Sequence, residues 1–136
     1  MGSFSSIDIS ASGLFAQRTR LDAIANNIAN VATTRTDSGG PYRRQQVVFR
    51  AHGGPFQAGR AGVQVEGVTE ADDPPKVVHD PSHPDAGPDG NVAMPNVNVV
   101  EEMVDMITAT RAYEANVQAI TAARAMIGKA LEIGKA

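Results

Sequence analysis

Ile7, Leu14, Leu21 and Ile28 stand seven residues apart, and Ile24 and Val31 fill alternate half-steps. A second series alternates by three and four residues from Met103 through Met106, Thr110, Tyr113, Val117, Ile120, Arg124 and Ile127 to Leu131. A seven-residue apolar repeat marks a helix whose narrow stripe lies along another helix. The stretch between the two series is punctuated quite differently. All eight prolines, and nine of the thirteen glycines, fall between Thr34 and Asn96. The pattern predicts a mainly α protein with a small β component. Residues 1–33 and 97–136 form long terminal helices, paired antiparallel in a coiled-coil-like layer, and residues 34–96 form a β and extended insert. A chain that pairs its ends and loops out its middle is suited to stacking rather than catalysis.

The helix ends carry their own signals. Ser10 or Ser12 is placed to cap the first helix, which runs to about Ala32, a rod of roughly 35 Å. Asn98 followed by Glu101 is a capping-box pattern for the second. Glu101, Glu102 and Asp105 occupy its first turns, where the helix dipole favours acids, and Lys129 and Lys135 lie near its end. Gly134 is a natural stop. From Val99 to about Ile133 that helix spans roughly 50 Å, too long for a globule of this size, so its length points to a partner.

Within the insert, Arg43 to Arg50 and Val63 to Val68 carry strand signals, the second alternating apolar with polar. Gly53-Gly54-Pro55 and Gly59 to Gly62 turn the chain between them. Lys76 to His79 reads as a further short strand, and Asp80 to Asn96 as turn-rich, extended chain.

Composition narrows the classes. The 136 residues hold 4% aromatics and no Trp, so a large core is not expected and helix–helix burial, partly between subunits, must supply stability. The net charge of −3 is unevenly spread: residues 18–60 hold seven Arg against Asp22 and Asp37, whereas residues 61–136 hold twelve acids against five bases. Such halves suit head-to-tail contact between copies, or equally two solvated faces, and speak against a nucleic-acid surface. There is no Cys, hence no disulfide framework and no thiolate metal site. Met1 to Gln17 lacks the basic start and apolar core of a cleavable secretory signal. The longest uncharged helical run, Ala23 to Thr34, is too short and too polar for membrane insertion.

One cluster has metal-ligand residue types: His79, Asp80, His83, Asp85 and Asp89. Its likeness to a calcium loop fails at Gly87 and Asn96, and Pro81 and Pro84 forbid the helix that would align the two His on zinc. No Ser occupies a nucleophile elbow, and Gly39-Gly40-Pro41 lacks the Lys and hydroxyl of a phosphate loop. Neither an enzyme, nor a metal, nor any other cofactor is expected.

Asn26, Asn27 and Asn30 are unusual, because Asn is a poor helix former. Two readings stay open. Either the helix end frays, or Ala25, Ala29 and Ala32 let helices approach while the amides bond across the contact and fix its register.

The run Leu21-Asp22-Ala23-Ile24-Ala25-Asn26-Asn27-Ile28-Ala29-Asn30-Val31 resembles the N-terminal signature of the bacterial flagellar axial proteins, the rod and hook family. Gly40-Pro41-Tyr42-Arg43-Arg44, Asp80-Pro81-Ser82-His83-Pro84-Asp85, Pro95-Asn96-Val97-Asn98-Val99 and Arg111-Ala112-Tyr113-Glu114-Ala115-Asn116 follow in order and make it similar to the proximal rod subunits. His79 and Asn91 depart from this likeness, standing where aromatic residues are expected. The resemblance implies export, unfolded and without a cleaved signal, through the flagellar type III apparatus. It further implies polymerisation in the periplasm with copies of itself and other rod proteins, as a drive shaft between rotor and hook that encloses a channel. Subunit packing then falls to Ile7, Leu14, Leu21, Ile24, Asn26, Asn27, Ile28, Asn30 and Val31 against Met103, Met106, Tyr113, Val117, Ile120, Ile127 and Leu131. The rival readings are another axial subunit and a cytoplasmic coiled-coil adaptor or export chaperone.

Overall fold

Two helices carry the molecule: α1, Gly2–Ala29, and α2, Val99–Ile133. The computed structural model describes residues 2–53 and 61–134, with side chains from Ser6 onward. The turn residues Gly54-Pro55 and Gly59-Arg60, and Lys135 at the chain end, lie outside the described residues.

Helix α1 starts earlier than the serines suggest, so Ser10 and Ser12 lie inside it. The Ser12 hydroxyl donates back to the Ile9 carbonyl at 2.7 Å and accepts the Val63 amide at 3.1 Å, so it docks a strand rather than capping a helix. At the other end the helix stops at Ala29 because Asn30 closes it. The Asn30 side-chain amide donates to the Asn26 carbonyl at 2.9 Å, and its oxygen accepts from the Thr33 hydroxyl at 3.1 Å. Helix α2 begins as its sequence indicates: Asn98 accepts the Val100 amide at 3.1 Å. Gly134 ends it in ordinary right-handed geometry, its amide bonded to the Ala130 carbonyl.

The helices pack together antiparallel, since Asn27 meets Glu102 while Gly13 faces Asn116. The seam between them is built from small side chains. Ala16, Ala23, Ala109 and Ala123 are buried, with Ile24 the one large aliphatic among them. A Cβ added at Gly13 would stand 3.0 Å from the Asn116 side chain, so the backbones approach closely there.

The insert consists of two separate antiparallel pairs. Strands β1 (Gln45–His52) and β2 (Gly62–Glu70) pair from Gln45 opposite Glu70 to His52 opposite Gly62, with an irregularity between Val48 and Phe49. Both strands lie against α1. Strands β3 (Lys76–His79) and β4 (Asn91–Met94) form the second pair, in which His79 stands opposite Asn91. The extended stretch from Asp80 to Asn96 therefore contains a strand, anchored by Val92, which is buried along with Pro95.

Candidate functional site

Among the described residues, side-chain hydrogen bonds gather where α1, α2 and the start of the insert meet. Asn27 lies on the inner face of α1, 1% exposed. Its amide nitrogen donates to the Gln45 carbonyl at 2.9 Å and to Glu102 Oε2 at 3.0 Å. Its oxygen accepts from the Gln45 amide at 2.7 Å and from the Tyr42 hydroxyl at 2.9 Å. Both donor hydrogens and both lone pairs are thus used, which no other side chain of this length achieves.

Glu102, also 1% exposed, projects from the first turn of α2 into the same junction. Its other carboxylate oxygen accepts from Arg44 Nε. That hydrogen bond raises the Arg44 pKa above its ordinary value against the opposing effect of burial, so the guanidinium stays charged. Arg44 also reaches Asp105 at 3.5 Å, and Arg20 on α1 reaches the same carboxylate at 3.4 Å. Burial, with help from Glu102 and Glu70, pushes the Tyr42 phenol up, keeping it a hydrogen-bond donor. A buried charge pair contributes little net stability, but one so fully satisfied fixes a single arrangement of three segments. Its chemistry is structural: the junction holds no nucleophile and no acid–base pair aimed at open space.

A second tie binds the insert together. Asp85 accepts from the Thr34 hydroxyl at 2.7 Å and from the Arg35 guanidinium. The Thr34 bond is the main reason its pKa falls below the ordinary value of 3.8. Asp80 is likewise lowered, by the hydroxyl and amide of Ser82. His83 accepts the Asp85 amide at 3.1 Å, and His79 Nδ1 pairs with Asn91 Oδ1 at 3.0 Å. Gly90, with φ +71°, lets the chain pass the His79 ring, which a Cβ would meet at 2.9 Å. The side chains of His79, Asp80, His83 and Asp85 are therefore used in turns, in a cross-strand pair and in the tie to Thr34 and Arg35. Among the described residues, no group of three or more His, Asp or Glu is placed to hold a metal. His79 and Asn91, standing where the family likeness leads one to expect aromatics, are each other's partners.

The candidate packing residues divide into three sets. Ile24 and Asn27 are buried in the subunit. Ile7, Leu14, Leu21, Ile28, Asn30, Val31, Met106, Ile120 and Ile127 are half-buried, while Asn26, Met103, Tyr113, Val117 and Leu131 are exposed. Along α2, Met106, Ile120 and Ile127 are half-buried within the subunit. The alternate positions shift by one residue, to Glu102, Ala109, Asn116 and Ala123 in place of Met103, Thr110, Val117 and Arg124. Ala25, Ala29 and Ala32 face outward, and close approach is provided by Gly13, Ala16 and Ala23 instead. The three asparagines have separate tasks: Asn27 anchors the junction, Asn30 closes the helix, and Asn26 stays at the surface.

Periodicity alone passes over Glu102, Arg44 and Tyr42. Glu102 reads as an acid favoured by the helix dipole. Also passed over is an outward face of α2 formed by Val100, Val104 and Ile107, and on α1 the exposed Phe15.

Comparison with known proteins fits this architecture. Residues 7–35 match the family described as flagella basal body rod protein, and residues 89–133 that described as flagellar basal body rod FlgEFG protein C-terminal. The chain is 46% identical to flagellar basal-body rod protein FlgC of Borreliella burgdorferi, covering 98% of each. It is 43% identical to its counterpart in Bacillus subtilis, over 99% of this chain and 100% of the relative. With that of Salmonella typhimurium the identity is 42%, over 94% and 95%. The two matched segments are the two terminal helices with their flanks, the same elements that the polar junction joins.

Proposed function

The chain belongs to the flagellar basal-body rod protein FlgC family and is a structural subunit of the bacterial flagellar rod; from this we propose that it polymerises into the drive shaft that links the membrane rotor to the hook and encloses the export channel. Helices α1 and α2 form the inner, coiled-coil-like layer, and residues 34–96 form the outer layer and clamp neighbours. The seven-residue spacing of Glu102, Ala109, Asn116 and Ala123 on the inward side of α2 supports the coiled-coil reading. The subunit reaches the periplasm unfolded, through the flagellar type III export apparatus, and meets there copies of itself and other rod proteins. Among the described residues no helix is long and apolar enough to cross a membrane.

One observation carries the assembly reading: large apolar side chains stay exposed along both helices although the helices already pair. Ile9, Phe15, Met103, Val104, Ile107, Met126 and Leu131 are all exposed, a pattern that marks an interaction surface. The half-buried candidates Leu14, Leu21 and Ile28 flank the internal seam and extend it toward neighbours. Torque passes through many small contacts in parallel, so no single site bears it.

Deleting the gene and examining extracted envelopes by electron microscopy tests the reading. Cells should lack hooks and complete basal bodies, regain them on complementation, and yield the subunit with detergent-extracted basal bodies. Normal hooks in the deletion strain, or a subunit found only in the cytoplasmic fraction, would overturn it.

A further inference from the structure

The outward faces of the two helices carry matching patterns. On α1, Asp8, Phe15 and Arg18 are all exposed, with Phe15 at 67%. On α2, Glu101, Val104 and Arg111 are exposed, Val104 at 57% and lying between Val100 and Ile107, which are exposed too. Each face reads acid, apolar, base along the chain, and the spacings are mirror images. Seven residues separate Asp8 from Phe15 and three separate Phe15 from Arg18, whereas three separate Glu101 from Val104 and seven separate Val104 from Arg111.

We propose that the Phe15 face of α1 docks antiparallel on the Val104 face of α2 in a second copy of this chain, with Arg18 opposite Glu101 and Asp8 opposite Arg111. The inference rests on the rod reading above and adds a partner and a register to it. In an assembly whose subunits all point one way, α1 of one copy must run antiparallel to α2 of the next, as the two do within one copy. Only the antiparallel arrangement sets base against acid at both ends. A parallel one with Phe15 on Val104 would lose both pairs. The same contact cannot form within a subunit. The internal register set by Asn27 with Glu102 and Gly13 with Asn116 leaves Phe15 and Val104 on outward faces. It also leaves them roughly 15 Å apart along the axis. Among the described residues Arg111 is held only by Glu114 on its own helix, an exposed pair at 3.3 Å that a neighbour can replace. Opposed charges at the rim fix register and partner more than they add affinity, while Phe15 supplies the buried anchor.

The test uses the full chain in cells, where its lack of cysteine makes cross-linking clean. Phe15→Cys and Val104→Cys are combined, basal bodies are extracted, and the subunit is followed on non-reducing gels. A disulfide-linked dimer of this chain is expected, absent when Phe15→Cys is paired with Cys at the exposed Val77. In a second arm, Arg18→Glu and Glu101→Arg each lower rod incorporation about threefold or more, and the double exchange restores it. Intact basal bodies that contain the subunit but give no dimer, and no restoration in the exchange, would overturn the interface and leave the rod reading standing. A cross-link to a protein of different mass would overturn the second copy as partner. A subunit absent from wild-type basal bodies would overturn both.

Discussion

Asn27 of α1 and Glu102 of α2 share a 3.0 Å hydrogen bond, and both side chains are sealed from solvent. Their partners, Tyr42, Arg44 and Gln45, all come from the first residues of the insert. The contact thus couples the pair of terminal helices to the segment between them, and a change here should be felt by both.

Asn27→Asp should be far more damaging than its size suggests. It removes the two donated bonds to Gln45 and Glu102 and places a second carboxylate beside the first. Leaving buried acceptors unpaired costs about 1–3 kcal/mol each, more when charged. We expect a loss of at least about 3 kcal/mol in urea unfolding of the purified chain. Tyr42→Phe, which removes a single bond, should lose about 1 kcal/mol. Equal effects of the two changes would contradict the bonding described.

Arg44→Ala leaves the Glu102 carboxylate buried and without its cation. Removing one partner of such a pair costs about 3–5 kcal/mol, while replacing both by apolar groups is often near neutral. Arg44→Met combined with Glu102→Leu should therefore be more stable than Arg44→Ala alone. Thermal unfolding monitored by circular dichroism gives the comparison, and the reverse ranking would show that the pair is a net contributor.

Gly13 tests the close approach of the helices. Ala favours a helix over Gly by about 1 kcal/mol, but its Cβ presses on Asn116, and larger residues overpack at about 1–3 kcal/mol. Gly13→Leu should destabilise, and Gly13→Ala with Asn116→Ala should exceed the stability of either single change. Additive effects in this cycle would mean the two residues do not touch.

Asp85 predicts an acid dependence. Its folded pKa lies below 3.8, so its stabilising effect is complete above that value and disappears as pH falls through the lower folded one. Asp85→Asn should be less stable than the parent at pH 7, and the difference should vanish in strong acid. A gap that persists at the lowest pH would remove the Thr34 bond as its cause.

Ile28→Asp and Ile24→Asp should separate assembly from folding. Ile24 is 4% exposed, so a carboxylate there unfolds the subunit. Ile28 is only half-buried, so Ile28→Asp should be made and remain folded yet fail to enter the rod, abolishing swimming. Arg43→Ala, at an exposed place in the insert, should be milder. Normal motility with Ile28→Asp would remove Ile28 from the packing seam.

The sequence by itself determined the two terminal helices, the Asn98 cap, the β1, β2 and β3 segments and the looped-out middle, because periodicity, capping residues and the Gly/Pro distribution act locally. Tertiary structure alone decided which face of each helix turns inward. Apolar periodicity weighs large side chains, and this seam uses Gly13, Ala16, Ala23, Ala109 and Ala123, which bring backbones close while adding little to an apolar count. Strand β4 was hidden among turn residues because its partner β3, rather than its own composition, stabilises it. The polar junction was out of reach for a related reason. Asn27 and Glu102 lie 75 residues apart, and Arg44 and Glu102 lie 58 apart. A buried amide or carboxylate is tolerable only when every partner arrives at once, so its place in the core is a property of the assembled fold rather than of any local stretch of chain.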